Sequence, residues 1–447
     1  MLPIVLAILA NAASAAPAPD CHVGAYRLAD GSTIDIGAES DGRLRWRRID
    51  GSSGGLVPSS GGWTSHYGWT DRPDAHRVAF TACDRGGIRF DDLAGSRIAL
   101  KVVDTRFRGD GGTQLAGRLV LPPGDSKVAL VVLVHGAESS SALIEDDMQR
   151  QLPAEGVAAF VYDKRGTGES GGKYTQDYSV LANDAVAALA EARRLAGERA
   201  GRVGYRGGSQ GGWVAPLAAT RTHADFVLVG YGLAVSPLEE DRQAIEYQLG
   251  VRGYGPDVVS KALEISAAGG ALLECQFRCS FEPFETVRSK YAHEPWFKDV
   301  RGNFTGVMLA IPPDRLHVEA QKYAFHTPMR YDGMAVLHKL RTPQLWMLGG
   351  EDEDAPSAET ARRLAALRAE GKPITTAMFP HAGHGIHTFE LGDADGGRVW
   401  TGYSEGYMRM TIDFARDGVL HGRYGAAFVS APAAPATQPA APPPAGL

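Results

Sequence analysis

The first residues that could do chemistry are a serine and the glycines around it. Gly207 and Gly211 stand two positions before and after Ser209, in the pattern Gly-x-Ser-x-Gly. The serine falls between a run that predicts a strand and a run that predicts a helix, where a sharp turn lifts a hydroxyl clear of a sheet. Glycines remove the Cβ clashes of such a turn, and the helix N-terminus favours developing negative charge. We therefore predict that Ser209 is a nucleophile; a glycine-rich turn without chemistry is the alternative.

A nucleophilic serine needs a base, because its hydroxyl reacts poorly near neutral pH. Three histidines, His381, His384 and His387, follow the last predicted strand. His384 is our candidate because Gly383 and Gly385 flank it and permit the tight backbone that aims an imidazole inward. The other two histidines are expected to face solvent or packing. A metal site built from all three is the alternative, but no carboxylate-bearing metal motif accompanies them; we expect no metal and no cofactor.

The third member of such a site is a carboxylate that fixes the tautomer of the imidazole and stabilises the imidazolium. Four carboxylates stand in a row at positions 351–354, directly after a predicted strand. Asp352 is our candidate and Asp354 is the alternative. The rest of this acidic run is expected to be solvated surface.

Negative charge on a tetrahedral intermediate needs hydrogen-bond donors that are already in place. His135-Gly136-Ala137 ends a predicted central strand and can turn backbone N–H groups toward Ser209. We expect an oxyanion hole made of the backbone amides of Ala137 and Gln210. His135 could itself be taken for a base, but a histidine that ends such a strand is more often a structural anchor of its loop.

These residues need a scaffold, and the apolar runs predict an α/β fold. Continuous apolar runs such as KVALVVLVHG predict strands buried on both faces, and they alternate with amphipathic segments of helix length. The alternation predicts a mostly parallel central sheet with helices on both faces. An aromatic-rich interruption predicts a helical cap over the carboxyl edge of the sheet, and Asp-Gly and Gly-Gly turns predict a small β-rich module near the N-terminus. The predicted segments are a signal peptide (1–16), the β-rich module (17–103), the first part of the α/β core (104–235), the cap insertion (236–332), the second part of the core (333–425) and a disordered Pro/Ala-rich tail (426–447).

Composition and the N-terminal residues bear on partners and compartment. The chain has 447 residues, a formal net charge of −6 and a pI near 6.1, so it lacks the basic footprint of a nucleic-acid-binding protein. Leu2 to Leu9 form a short apolar core, and Ala13-Ser14-Ala15 offers a cleavage site, which predicts export to the periplasm or secretion. A buried N-terminal strand is the alternative. No later stretch is long and apolar enough to predict stable membrane insertion.

Four cysteines fit an oxidising compartment. They allow three pairings, and the sequence alone does not choose among them. The pairing of Cys275 with Cys279 and of Cys21 with Cys83 is the natural guess. Metal binding is the rival interpretation, but this spacing is a poor zinc pattern, and free buried thiols are expected if the protein is not exported.

Five motifs follow one another along the chain: HGAESSS, YDKRGTGES, GGSQGGW, GGEDEDAP and HAGHG. In this order they resemble the α/β-hydrolase superfamily over about residues 104–420, and within it bacterial exported esterase-like hydrolases related to dienelactone hydrolases and serine aminopeptidases. The resemblance implies an α/β-hydrolase fold with Ser209, Asp352 and His384 in the chain order of that fold. It also implies that Arg165 forms a buried ion pair within a structural loop that contains Asp163, Arg165, Gly166, Gly168 and Ser170. The chain departs from many relatives at Ala137 and Glu138.

Three functions are compatible with these residues. The first is a carboxylesterase, a carboxylic ester hydrolase that acts on small to medium acyl esters through an acyl-enzyme intermediate, with the aromatic cap lining the acyl pocket. The second is an aminopeptidase-like serine peptidase in which Glu239-Glu240-Asp241 binds a free α-amine, although Ser236-Pro237-Leu238-Glu239 also predicts a plain helix start. The third is a non-enzymatic binding protein with the same fold, which an intact set of site residues disfavours. The natural substrate and the oligomeric state do not follow from the sequence.

Overall fold

The computed structural model describes residues 21–39, 42–392 and 397–432. The predicted signal peptide and most of the predicted tail lie outside these residues. In the described part of the chain, no helix has both the length and the apolar character needed to cross a membrane. The sulfur atoms of Cys21–Cys83 and Cys275–Cys279 are at bonding distance, with Cα–Cα distances of 5.7 and 5.9 Å. This is the pairing that the compartment argument favoured.

The N-terminal segment folds into a closed barrel of eight antiparallel strands, in which each strand pairs with the next along the chain and the last pairs with the first. Tight glycine turns favour this pairing of neighbours, and closure leaves no free sheet edge. Tyr26, Ile36, Trp46 and Phe90 are among the apolar side chains that fill the interior. The strands are β1 (Gly24–Leu28), β2 (Thr33–Ala38), β3 (Leu44–Arg48), β4 (Ser53–Ser59), β5 (Gly62–Tyr67), β6 (Pro73–Phe80), β7 (Gly87–Phe90) and β8 (Leu93–Arg97).

The rest of the chain is built on a nine-stranded sheet whose six central strands are parallel. These strands are almost completely buried, as expected where helices cover both faces. Its strands are β9 (Lys101–Arg108), β10 (Gln114–Leu121), β11 (Val128–Val134), β12 (Ala158–Tyr162), β13 (Ala200–Gly208), β14 (Val227–Gly230), β15 (Gln344–Gly349) and β16 (Ile374–Phe379), followed, after a separate hairpin of β17 (His387–Leu391) and β18 (Arg398–Tyr403), by β19 (Phe428–Ser430). Across the sheet the order is β19-β16-β15-β14-β13-β11-β12-β10-β9.

Helices cover both faces of this sheet, which confirms the predicted α/β architecture. The helices are α1 (Ala142–Glu145), α2 (Met148–Ala154), α3 (Tyr178–Ala196), α4 (Gly211–Ala219), α5 (Pro237–Val251), α6 (Pro256–Glu274), α7 (Glu282–Tyr291), α8 (Thr305–Ala310), α9 (Leu316–Glu319), α10 (Gly333–Lys339), α11 (Ser357–Ala369) and α12 (Tyr407–Asp417). One apolar core joins α3, α4, α10 and α11 to one face, and a second joins α1, α2 and α12 to the other.

The cap consists of α5 to α9 and lies over the carboxyl ends of the central strands. α5 begins with the helix start that the sequence predicts: Ser236 Oγ accepts the N–H of Glu239, and the Glu239 carboxylate accepts the N–H of Ser236. Side chains of the cap donate to the loop that follows β15, Gln248 to the carbonyl of Glu353 (2.9 Å) and Asn303 to the carbonyl of Asp354 (2.7 Å). The cap is therefore attached to the loop that carries the predicted acid.

The aromatic side chains of the cap correct one expectation. Five rings are buried in an apolar core of the cap itself, so they leave little surface for an acyl group, and the predicted aromatic lining of an acyl pocket is wrong for them. These rings are Phe277, Phe281, Phe284, Tyr291 and Trp296.

The end of the described chain corrects another expectation. Residues from 426 onward were expected to be a disordered tail, but Phe428–Ser430 forms β19 and pairs antiparallel with β16 at the edge of the sheet. The sheet also begins earlier than expected, because β9 starts at Lys101 rather than after residue 103. Pairing across the sheet stabilises both edge strands, and a short strand gives little local signal in the sequence.

Candidate active site

Ser209 lies on the turn between β13 and α4. Its φ is 50°, in the left-handed region that residues with side chains rarely adopt, so the turn is strained. A Cβ on Gly207 would overlap the carbonyl oxygen of Gly211, and a Cβ on Gly211 would overlap the carbonyl oxygen of Val134. Strand, turn and helix can approach this closely only without side chains at the two glycines, which explains their place in the motif.

His384 and Asp352 form a chain of hydrogen bonds with Ser209. His384 Nε2 lies 3.1 Å from Ser209 Oγ, and His384 Nδ1 lies 3.0 and 3.2 Å from the carboxylate oxygens of Asp352. The carboxylate only accepts, so Nδ1 carries the proton and Nε2 faces the hydroxyl as an acceptor. Asp352 is buried, and it also accepts the N–H groups of Asp354 (3.0 Å) and Ala355 (2.8 Å). The structure thus brings together three residues from the loops after β13, β15 and β16.

The backbone around His384 is tightly turned. Gly385 has a φ of 77°, a conformation that glycine adopts without strain. A Cβ on Gly383 would come within 2.8 Å of the Trp400 ring. The ring of Tyr231 packs edge-on against the imidazole, with 4.9 Å between the ring centroids. These contacts fix the loop from which the imidazole reaches Ser209.

Asp354, the alternative acid, lies beside this chain but makes no side-chain hydrogen bond to His384 or to any other described residue. Burial raises the pKa of Asp354 to about 6. Burial lowers the pKa of His384, but Asp352, Asp354 and Glu240 oppose this and together raise it above its usual value. A carboxylate oxygen of Asp352, a carboxylate oxygen of Asp354 and a ring nitrogen of His384 lie within 4.8 Å of one another, close enough for a metal ion. Both nitrogens of His384 already face hydrogen-bond partners, which favours the proton-transfer arrangement.

Of the three acidic residues at the start of α5, Glu240 alone faces the site unpaired. Glu239 belongs to the helix start and pairs with Arg363 (2.5 Å). Asp241 accepts hydrogen bonds from Ser266 and Thr305 inside the cap. Glu240 is 7% exposed, and its carboxyl group forms no hydrogen bond within the described part of the chain. Burial raises the pKa of Glu240 well above its usual value.

The predicted oxyanion donors lie beside the serine. A Cβ on Gly136 would be 3.2 Å from Ser209 Cβ, which places the loop after β11 against Ser209. The amide N–H groups of Ala137 and Gln210 have no hydrogen-bond acceptor among the described residues. Backbone donors that are unpaired beside a nucleophile are what an oxyanion would bind.

Glu138 places a carboxylate at the same loop. Its Oε2 would be 2.8 Å from a Gly136 Cβ, so the carboxylate lies near Ser209 as well. Burial opposes ionisation, but His135 and Lys164 lower the pKa of Glu138 to about 2. The side chain is 53% exposed, so a negative charge stands at the mouth of the site.

Neither His381 nor His135 forms a hydrogen bond with Ser209. His381 is exposed and lies 3.1 Å from Glu351. His135 is buried at the end of β11, with Nδ1 3.8 Å from Glu138, and burial lowers its pKa. His381 therefore faces solvent as expected, and His135 occupies the loop-anchor position predicted for it.

His387 connects the site to the barrel. Its Nδ1 donates to the carbonyl oxygen of His384 (2.8 Å), since a carbonyl only accepts. Its ring packs among three aromatic rings, those of Trp69 (5.2 Å between centroids), Trp400 (5.2 Å) and Tyr403 (4.5 Å). Trp69 belongs to the barrel. His387 is thus a packing residue, as expected, but one that touches the backbone of His384.

The loop after β12 contains Lys164, a residue near the site that the sequence analysis missed, and Arg165, which it had considered. Arg165 pairs with the buried Asp184 (2.7 Å), which confirms the ion pair that the resemblance implied. Its neighbour Lys164 is buried as well, and Nζ donates to the carbonyl oxygen of Gly136 (2.5 Å). The available signal was a lysine two residues after the apolar strand β12, which pairs with β11, the strand that leads to Gly136.

The chain was compared with models of protein families and with curated proteins. Residues 125–242 match a family model described as serine aminopeptidase, S33; the match contains Ser209 but neither Asp352 nor His384, and it spans less than half of the chain. No curated protein matches the chain in sequence. The chain has the α/β-hydrolase fold, as predicted, and the family match is consistent with a member of the α/β-hydrolase superfamily of the serine-hydrolase type.

Several solved structures are similar to the chain at low identity. An esterase of Pyrococcus furiosus shares 15% identity, with 64% of this chain and 84% of that chain covered and a TM-score of 0.42. An acylaminoacyl peptidase of Pyrococcus horikoshii shares 13% identity, with 81% and 46% covered and a TM-score of 0.39. Est1E of Butyrivibrio proteoclasticus, with ferulic acid bound, shares 19% identity, with 63% and 90% covered and a TM-score of 0.36.

Proposed function

We propose that the protein is a carboxylesterase that hydrolyses small to medium acyl esters, with Ser209 as nucleophile, His384 as base and Asp352 as the acid that orients it. The observation that carries the proposal is the unbroken hydrogen-bond chain from Ser209 Oγ through His384 to Asp352, beside two unpaired backbone amides. This combination supplies every group that acyl transfer to a serine requires.

The reaction follows from the positions of these groups. Ser209 Oγ attacks the ester carbonyl carbon and its proton passes to His384 Nε2, while the Asp352 carboxylate stabilises the imidazolium. The carbonyl oxygen takes up negative charge and is bound by the amides of Ala137 and Gln210. Collapse of this intermediate expels the alcohol, which takes the proton back from His384. Water, deprotonated by the same imidazole, then cleaves the acyl-enzyme and releases the carboxylic acid.

An aminopeptidase-like activity is the second candidate, because Glu240 faces the site without a partner. A carboxylate there would bind the α-ammonium of a peptide. Burial raises the pKa of Glu240 well above its usual value, so ionisation of this carboxyl group, which binding of an ammonium requires, costs free energy. This argues for the ester as the preferred substrate.

A substrate panel tests the assignment. We expect the purified protein to hydrolyse p-nitrophenyl esters of short to medium acyl chains faster than the p-nitroanilides of amino acids, and Ser209→Ala to abolish both. Faster cleavage of the anilides would favour the peptidase. If neither class is cleaved and a fluorophosphonate probe leaves Ser209 unlabelled, the protein is a binding protein that shares the fold.

We also propose that the protein works outside the cytoplasm, in the periplasm or as a secreted enzyme. Two cysteine pairs at bonding distance suit an oxidising compartment. Mass mapping of the native protein under non-reducing conditions should recover peptides joined by both pairs and a mature N-terminus near residue 16. An intact N-terminus with free thiols would contradict the proposal.

A further inference from the structure

A buried lysine lies behind the loop that supplies the Ala137 amide. Lys164 is 4% exposed, and no described carboxylate lies within ion-pair distance of it, although Lys164 and the Glu138 carboxylate affect each other's pKa. Its Nζ donates to the carbonyl oxygen of Gly136 (2.5 Å) and lies 5.0 Å from the centroid of the Tyr174 ring. Burying an ammonium without a paired anion lowers stability. A contribution to the site would explain why a lysine stands there.

The geometry of the peptide bond says what this lysine does. The described residues contain no cis peptide bond, so the carbonyl of Gly136 and the N–H of Ala137 point in opposite directions across one trans peptide. Because Lys164 holds the carbonyl, the N–H is directed away from Lys164. That N–H has no acceptor among the described residues. A charged donor on the carbonyl also polarises the peptide and makes its N–H a stronger donor.

Tyr174 holds the next peptide in the same way. Its hydroxyl donates to the carbonyl oxygen of Ala137 (2.5 Å) and accepts from Gln176 Nε2 (3.0 Å). Two consecutive peptides of the loop, on either side of Ala137, are thus held through their carbonyls by side chains from the segment after β12. The loop lies against Ser209 through Gly136.

We propose that Lys164 and Tyr174 are positioning residues that aim the N–H of Ala137 at the oxygen of the tetrahedral intermediate. The proposal rests on the esterase function above, because it assigns the orientation of that function's oxyanion hole. Neither residue touches the reacting atoms. Both act through the backbone of residues 136–138.

The variant Lys164→Met removes the charge and the donor and keeps the length of the side chain. Removing one oxyanion donor costs about 10²–10³-fold in kcat, so a misdirected donor is expected to lower kcat by about 10²-fold, with KM changed by less than about threefold. Affinity for a trifluoromethyl ketone, which forms a tetrahedral adduct with the serine, should fall by a similar factor. Lys173→Met removes an exposed lysine of the same loop and is the matched control.

The stability of the variant separates positioning from a structural role. Replacement of a buried, unpaired ammonium by Met should leave the Tm of the protein unchanged or raise it, while kcat falls. Tyr174→Phe keeps the ring and removes only the hydroxyl, and we expect a fall in kcat of about tenfold with unchanged Tm, less than the cost of a whole lost donor. This second variant provides the test if Lys164→Met does not fold.

Two outcomes overturn the inference. The first is a Lys164→Met variant that folds and keeps kcat and ketone affinity within about threefold of wild type, which is far less than the loss of an oxyanion donor costs. If Lys164→Met does not fold, the same result for Tyr174→Phe counts. The loop would then not need these two side chains to hold its carbonyls. If kcat falls only in proportion to a loss of folded protein, the residues are merely structural. Failure of the esterase proposal looks different, because wild type and Ser209→Ala would then show equal, negligible ester hydrolysis.

Discussion

The barrel and the cap reach the candidate site from different sides and hold it by different kinds of contact. The barrel docks on α2 through ion pairs, Asp35 with Arg150 (2.6 and 3.0 Å) and Arg47 with Asp147 (2.9 Å). It then presents Trp69 to the ring of His387, whose Nδ1 holds the carbonyl of the His384 residue. The barrel therefore supports the position of His384, the candidate base, through packing and backbone contacts.

The cap touches the same region with few contacts and an ionisable group. It donates two side-chain hydrogen bonds to carbonyls of the acid loop, from Gln248 and Asn303, and it places the carboxyl group of Glu240 near the imidazole. The cap therefore affects the charge around His384 more than its position. The difference teaches that changes in the barrel should alter the rate of the reaction, whereas changes in the cap should alter its pH dependence.

The largest effect is expected when a residue of the hydrogen-bond chain itself is replaced, because the barrel and the cap both act on that chain. Ser209→Ala or His384→Ala should lower kcat by about 10⁴-fold or more, as in other triad knockouts. Steady-state hydrolysis of a p-nitrophenyl ester measures this directly. A fall of less than about tenfold would mean that neither region surrounds a serine hydrolase site.

The next largest effect separates the two aspartates of the acid loop. Asp352→Asn should cost about 10³–10⁴-fold in kcat, because the amide favours the wrong tautomer of His384. Asp354→Asn should cost far less, since its side chain makes no hydrogen bond to the imidazole. Greater loss in Asp354→Asn than in Asp352→Asn would show that the acid has been assigned to the wrong residue.

The contact through which the barrel supports His384 can be removed at His387. His387→Leu removes the donor to the His384 carbonyl, and a displacement of the base by about 1 Å costs on the order of 10²-fold in rate. We expect kcat to fall with little change in KM, and His387→Asn, which keeps an N–H near the position of Nδ1, to recover part of the loss. Trp69→Ala should act in the same direction more weakly. Equal rates for the Leu and Asn variants would contradict a positioning role for this hydrogen bond.

The effect of the cap on pH dependence can be tested at Glu240. The carboxyl groups near His384 raise its pKa, and only the neutral imidazole acts as a base, so kcat/KM should rise with pH through that pKa. In its ionised form the Glu240 carboxyl group raises the pKa of His384, so Glu240→Gln should lower that pKa and move the rising limb to lower pH without changing the plateau. Gln243→Ala, at a partly exposed neighbouring position of α5, is the control. A limb that stays in place in Glu240→Gln would show that Glu240 does not sense the imidazole.

The sequence predicted those parts of the molecule that have local signals. Most central strands are short apolar runs, and the predicted strands that end at Gly208-Ser209 and at His135-Gly136 marked the edge at which side chains converge. The glycines around Ser209 and His384 are required by backbone contacts that a motif records. This is why the candidate nucleophile, the candidate base and the acidic loop could be located before the fold was known.

The remaining features depend on contacts between distant segments. Closure of the barrel pairs β1 with β8. The contact between the rings of Trp69 and His387 joins residues more than three hundred positions apart in the chain. The role of Lys164 depends on which carbonyl its ammonium reaches, and a lysine in a loop is ordinarily interpreted as solvated surface. The cap rings were assigned to a pocket because aromatic content does not tell a local core from a ligand site.

Labelling of the serine tests the central claim most directly. The protein and its His384→Ala variant are treated with a fluorophosphonate, and the modified peptide is identified by mass spectrometry. We predict one adduct, on Ser209, that forms at a rate lowered by orders of magnitude in the variant. No adduct on Ser209, or equal rates of labelling in the two proteins, would contradict the account.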